Sequence, residues 1–181
     1  MKIILSKLAF IEIILLLIFP YECSSQQILP YKVGENFTYN ISFAGIKVGD
    51  ASLKINSIKN INDKSCYQII GSGKTTPFFD FFFKVRDTYE TLLDTSSVLP
   101  VIFKRDISEG GFKKLQIYEF NHNNNIVYSK DTSYYIYNDS QDMLSALFFA
   151  RTFNAADLKI NDKFFIPIFM DEENYFLEIM Y

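Results

Sequence analysis

Alternation is the feature that most constrains this chain. From Asn36 to Phe43, the apolar residues Phe37, Tyr39, Ile41 and Phe43 alternate with the polar residues Asn36, Thr38, Asn40 and Ser42. A period of two puts one set on each face of a pleated strand, which predicts a half-buried strand. Ala44-Gly45 turns the chain, and Val48 to Ile58 continues in strand pattern, with a break near Gly49-Asp50 that fits a bulge. Cys66 to Gly71, Thr88 to Leu93, Val101 to Ile107, Lys113 to Phe120, Ile126 to Ser129, Tyr134 to Tyr137, Lys163 to Met170 and Tyr175 to Tyr181 repeat the theme. Turn signals separate them: the polar Asn60 to Lys64, Glu109-Gly110-Gly111, the Asn-rich Asn121 to Asn125, and Asp171-Glu172-Glu173-Asn174. Short strands joined by such turns pair with their sequence neighbours. The predicted fold is mainly β, an antiparallel meander forming a curved sheet or open half-barrel. Its last strand would run into the C-terminus and leave an unpaired edge, as in a truncated chain.

Two segments depart from period two. Met143, Leu144, Leu147 and Phe148 have helical spacing, and Asp139 or Ser140 can cap the start. This predicts a helix from about Asp142 to Phe153, with Leu144, Leu147 and Phe148 facing the sheet and Arg151 at the border. The second segment is Pro77 to Phe83, in which only Asp80 interrupts Phe78, Phe79, Phe81, Phe82 and Phe83. Thr76 before Pro77 suits the start of a short helical turn leading to a strand near Lys84. A buried strand is the alternative, and core is the expected place for these rings.

The N-terminus points to export. Lys2 and Lys7 precede an apolar run from Leu8 to Phe19, and Pro20 and the small residues Cys23, Ser24 and Ser25 end it. That is the pattern of a cleaved signal peptide over residues 1–25. A single β-rich domain over residues 26–181 remains, long enough for a core. The expected location is the periplasm or cell envelope. Cleavage after Ser25 leaves Cys66 without a partner; a lipid on Cys23 is the other outcome considered. With 18 basic and 21 acidic residues, the net charge of −3 shows no basic excess of the kind nucleic-acid binders carry. Aromatic usage is high, with 19 Phe and 12 Tyr but no Trp.

Chemical motifs are weak. Gly71-Ser72-Gly73-Lys74-Thr75 resembles the end of a phosphate-binding loop. Gln68 stands where its first glycine belongs, and Pro77 breaks in where a helix should begin. His122 is the only histidine and sits among asparagines, so it is expected to be solvated. No paired cysteines and no second histidine offer a zinc site, and no Gly-x-Ser-x-Gly elbow offers a nucleophile. Asp87, Glu90, Asp106 and the Asp171 to Glu173 cluster are nominal carboxylates for glycosidase-type chemistry, which needs two carboxyls about 5–10 Å apart in a cleft. No catalytic, metal or cofactor residue is assigned.

Several segments resemble one family. They are Gly34-Glu35-Asn36-Phe37-Thr38-Tyr39, Ala44-Gly45-Ile46-Lys47-Val48-Gly49, Val85-Arg86-Asp87-Thr88-Tyr89-Glu90, Leu99-Pro100 with Phe103, and Glu109-Gly110-Gly111. The fullest is Gln141 to Arg151. In this order they resemble DUF3108, a family of exported bacterial proteins of unknown function. The Asn, Ile, Lys, Phe and Tyr content is similar to that of a Bacteroidota-type genome. The resemblance implies a β-rich envelope protein without established catalytic residues, in a family whose members run longer than this chain. The expectation is a non-enzymatic exported protein that binds a hydrophobic or lipidic ligand or another envelope component. A carboxylate-dependent hydrolase of cell-wall or glycan substrates is the alternative.

Overall fold

The structure is a computed structural model that describes residues 29–130 and 132–181. The expected signal peptide and its cleavage site lie outside the described residues. Eight strands form one antiparallel sheet in sequence order, and two more form a separate hairpin. The sheet runs β1 (Asn36–Phe43), β2 (Ile46–Ile61), β3 (Lys64–Thr75), β4 (Arg86–Asp94), β5 (Pro100–Glu109), β6 (Phe112–Asn121), β7 (Ile126–Ser129) and β8 (Thr132–Tyr135). β9 (Lys163–Met170) and β10 (Glu173–Met180) make the hairpin. The predicted antiparallel meander is therefore present, and it is open.

The turns are those the sequence signals require. Asn62 and Asp63 both adopt positive φ between β2 and β3, as do Gly110 and Gly111 between β5 and β6. Two such residues in a row match the right-handed twist of a tight hairpin. A bulge skips Val48 where β1 meets β2, one residue from the expected site, and a second skips Asn56 against β3. β3 runs straight through Gly71-Ser72-Gly73-Lys74-Thr75, so that segment is strand and not a phosphate loop.

Register places the core. Ile55, Ile69, Thr91, Phe103 and Tyr118 stand opposite one another in a row across β2 to β6. All are buried. A second layer covers them: the segment around Tyr31, a helix, and β9. The Tyr118 ring lies 5.1 Å from Phe169 of β9, and Tyr31 lies 5.0 Å from Phe148 of the helix. A side chain at Gly71 would come within 3.2 Å of the Leu144 side chain, so glycine there eases the close approach of β3 to the residues that open the helix. These side chains fill the space between the helix and the sheet.

The helix itself differs from expectation. It spans Ser145–Ala150, not Asp142 to Phe153. Its cap is Asp142, not Asp139 or Ser140. Asp142 Oδ1 accepts from the Leu144 and Ser145 N–H groups at 2.7 and 2.9 Å, and Ser145 Oγ accepts from the Asp142 N–H at 2.7 Å. This reciprocal pair is a capping box. Leu144, Ala146 and Phe148 are buried, and Leu147 is 49% exposed. The predicted inward Leu147 is thus on the surface. Arg151 does sit at the border, paired with Glu35 at 2.9 Å and 5.2 Å from the Tyr31 ring. Gln141 stitches β9 to the sheet: its N–H donates to Pro167, its carbonyl accepts from Phe169, and its Nε2 donates to Val98.

β1 is the other correction. Its period-two pattern is real, but every residue is exposed, with Tyr39 at 52%. It is an edge strand with β2 alone beside it. Alternation guarantees two faces but not a layer to cover either one.

Candidate docking surface

One end of the sheet gathers what the phenylalanine run was expected to hide. The β1–β2 turn, the β3–β4 connection and the β5–β6 turn all lie at that end, because β2, β4 and β6 start there and β1, β3 and β5 finish there. The β3–β4 connection begins with a short helical turn, α1 (Pro77–Asp80), after Thr76, as predicted. Phe78, Phe81, Phe82 and Phe83 then project outward with exposures of 69%, 87%, 69% and 53%. The reading of these rings as core is therefore overturned. They pack edge to face on one another, with Phe78 5.7 Å from Phe82 and Phe81 5.3 Å from Phe82. Phe43, Ile46 and Phe112 from the flanking turns are also exposed.

The local sequence explains this outward display. Asp80, the only polar residue in the run, turns back toward the sheet. It accepts from Thr75 Oγ1 and from both terminal nitrogens of Arg86. Those hydrogen bonds hold its carboxyl below the usual carboxylate range. Lys84 O accepts from the Gly110 N–H at 2.8 Å, and the Phe83 ring lies against Gly110 so closely that any side chain there would collide with it. The turn is anchored at its base and apolar at its tip. Its four exposed rings present on the order of 500 Å² of apolar surface, from the usual area of such a side chain. That equals the largest patch on a typical soluble monomer. Lys47, Lys74, Lys84 and Lys113 are exposed around the same end.

The nominal carboxylates do not converge. Asp87 faces the core side of the sheet, where its Oδ1 accepts from the Ser108 N–H at 3.0 Å. Glu90, three residues on, lies on the opposite face and accepts from Gln68 at 2.6 Å. Asp106 shares that outer face, opposite Thr88. Asp171 is taken up by Arg105 and Lys114 at 2.8 and 3.2 Å. Asp87 does meet one carboxyl not anticipated from sequence. The neighbouring Asp87 carboxyl raises the Glu109 pKa.

Three shallow grooves mark the surface. A groove of about 380 Å³ lies over the outer side of β1 to β3, lined by Asp50, Ser52, Ser72 and Lys74 among others. A groove of about 640 Å³ borders the part of β6 that extends past β7, with Glu119, Glu172, Lys114 and Lys130 in its walls. A third, of about 510 Å³, reaches His122. His122 is not solvated as expected. Its Nε2 is 2.9 Å from Pro100 O, its ring stacks on Phe120 at 5.6 Å, and burial pulls its pKa down. No groups of three or more metal-ligating side chains occur among the described residues. None of their helices is long and apolar enough to cross a membrane.

A buried carboxylate was also missed. Asp142 is fully buried, and Thr91 Oγ1 adds a third hydrogen bond to its Oδ1 at 2.9 Å. Its Oδ2 has no partner, and burial pushes its pKa up to about 6. The Asp-x-x-Ser spacing signals its role as a cap but not its burial. A model of the family described as "Protein of unknown function (DUF3108)" matches residues 38–181. No curated protein and no solved structure matches the chain.

Proposed function

The chain belongs to the DUF3108 family, and we propose that it is an exported, non-enzymatic protein of the cell envelope that engages a hydrophobic or lipidic ligand through the aromatic end of its sheet. The observation that carries this reading is the outward display of Phe78, Phe81, Phe82 and Phe83. Leaving such rings in water forgoes roughly 1.5–3 kcal/mol each relative to burial. A sequence keeps them there when an apolar partner supplies the burial. Export supports the setting, since the N-terminal pattern delivers the chain to compartments bounded by lipid.

A second reading keeps the hydrolase. The groove beside β6 is lined by both Glu119 and Glu172, with Tyr134 in the same wall. NMR titration separates the two. With alkyl-maltoside micelles, shift changes should concentrate on residues 78–83 and the flanking turns. With glycan fragments, the hydrolase predicts changes around Glu119 and Glu172, and turnover abolished by Glu172→Gln. Glycan turnover with no micelle response at the sheet end would overturn the binding reading.

A further inference from the structure

We propose that the aromatic end of the sheet is a membrane-docking tip that seats in the interface of a bilayer rich in anionic lipid. This rests on the hydrophobic-binding reading above and names the occupant.

Shape argues first. The exposed rings sit on three separate connections at one end of the sheet, and none of the three grooves described above is lined by Phe43, Phe78, Phe81, Phe82, Phe83 or Phe112. A small apolar ligand needs a concavity to bury it, and rings that are 53% to 87% exposed sit in none. Rings that protrude this far are buried fully only where the partner is fluid and closes around them. Chemistry argues next. Protein interfaces carry about one hydrogen bond per 100–200 Å², so a protein partner would look for polar groups among the rings. Here Asp80 is withdrawn onto Arg86 and Thr75, which leaves no free polar side chain between Phe78 and Phe83. Hydrocarbon asks for none.

Charge argues last. Around the tip, Asp50 is paired with Lys47 at 2.5 Å and Asp80 with Arg86 at 2.5 Å. Lys74, Lys84 and Lys113 have no ion pair among the described residues and stay exposed. The other acids near that end are less exposed than the lysines: Asp87 is buried on the core side of the sheet, and Glu109 is half-buried opposite Val85. The rim is therefore cationic although the whole chain carries a net charge of −3. Apolar rings at a tip and lysines behind them are the two parts of interfacial binding to anionic membranes.

The chain contains no Trp, so one introduced residue reports its own surroundings. Phe81→Trp places the reporter at the tip, and Ile160→Trp, on the exposed loop before β9, is the control. With phosphatidylglycerol vesicles, Phe81→Trp emission should shift blue and be quenched by brominated acyl chains, while Ile160→Trp stays unchanged. In the Phe81→Trp chain, adding Phe78→Ser and Phe82→Ser should weaken vesicle partitioning by at least about tenfold. Lys84→Glu with Lys113→Glu should weaken it by about tenfold on anionic vesicles and little on phosphatidylcholine. Far-UV circular dichroism checks that each variant keeps its fold. Unchanged Phe81→Trp emission on every vesicle would overturn the proposal; if micelles still map to residues 78–83, the broader binding reading stands without it. A blue-shifted Phe81→Trp signal without vesicles, accompanied by dimers in sedimentation, would assign the tip to a second copy and likewise overturn it.

Discussion

Asp142 sets the pH dependence of this fold. Its carboxylate is fully buried, accepts three hydrogen bonds on Oδ1, and leaves Oδ2 without a partner. Burial outweighs those bonds, so the group titrates at about 6 in the fold and near 3.8 in the open chain. Between those values the folded chain holds a proton that the unfolded chain has released. Raising the pH through the window therefore favours unfolding, and the loss is complete just above pH 6. At 1.36 kcal/mol per pH unit, this group makes the protein about 3 kcal/mol less stable at pH 7 than at pH 3. That is a sizeable share of a typical domain's 5–15 kcal/mol, roughly.

Asp142→Asn isolates the effect. The amide oxygen can keep the bonds from Thr91, Leu144 and Ser145. The amide nitrogen, in place of Oδ2, leaves buried donors that cost about 1–3 kcal/mol. The variant should therefore be less stable than wild type at pH 4 and equal or more stable at pH 7. Other groups do not blur the comparison. Asp171 is held below its ordinary value by Lys114 and Arg105, against the pull of burial. Its share of stability appears as pH rises through the region below 3.8, and both chains carry it. Urea denaturation followed by circular dichroism from pH 4 to 7.5 reads the difference. Parallel stability profiles for the two proteins would refute the assignment of a buried, proton-holding Asp142.

Phe148→Ala should cost about 3–5 kcal/mol in urea denaturation because the ring is buried against Tyr31, whereas Leu147→Ala, on the exposed side, should cost under about 1 kcal/mol. His122→Ala should lose about 1–2 kcal/mol through the Pro100 contact and the stack on Phe120. Because burial lowers the His122 pKa from 6.5, the unfolded chain takes up a proton first. Wild-type stability should thus fall as pH drops below about 6.5 relative to His122→Ala, and a matching pair of profiles there would remove His122 from the buried set.

Much of the sheet was legible because its signals are local. Asn62-Asp63 and Gly110-Gly111 fix hairpins through positive φ alone, and alternation between such turns leaves a meander as the simplest pairing. The helix was half legible. Leu144 and Phe148 are buried as their spacing implied, but the cap was misplaced by two or three residues. The buried face is centred on Ser145, Ala146 and Phe148, which leaves Leu147 on the outer side. Asp142 was invisible as a buried acid because a charged residue before an apolar run ordinarily faces water. The N–H groups of Ser145 and Leu144 and, through the register of β4, the Thr91 hydroxyl offset part of the cost of that burial.

The phenylalanine run failed in a more instructive way. Spacing put Phe78, Phe81 and Phe82 on one face, and they do cluster together. What spacing cannot say is whether a second layer lies opposite that face. Here the covering layer, α2 (Ser145–Ala150) with β9, packs over the middle of the sheet, where Ile69, Phe103 and Tyr118 lie. The β3–β4 connection lies at the sheet's end, beyond its reach. Hydrophobicity measures how much a residue gains from burial, not whether the fold provides it. Where the fold withholds burial from several adjacent rings and ties the one intervening charge inward, the unspent apolar surface is available to a partner outside the chain.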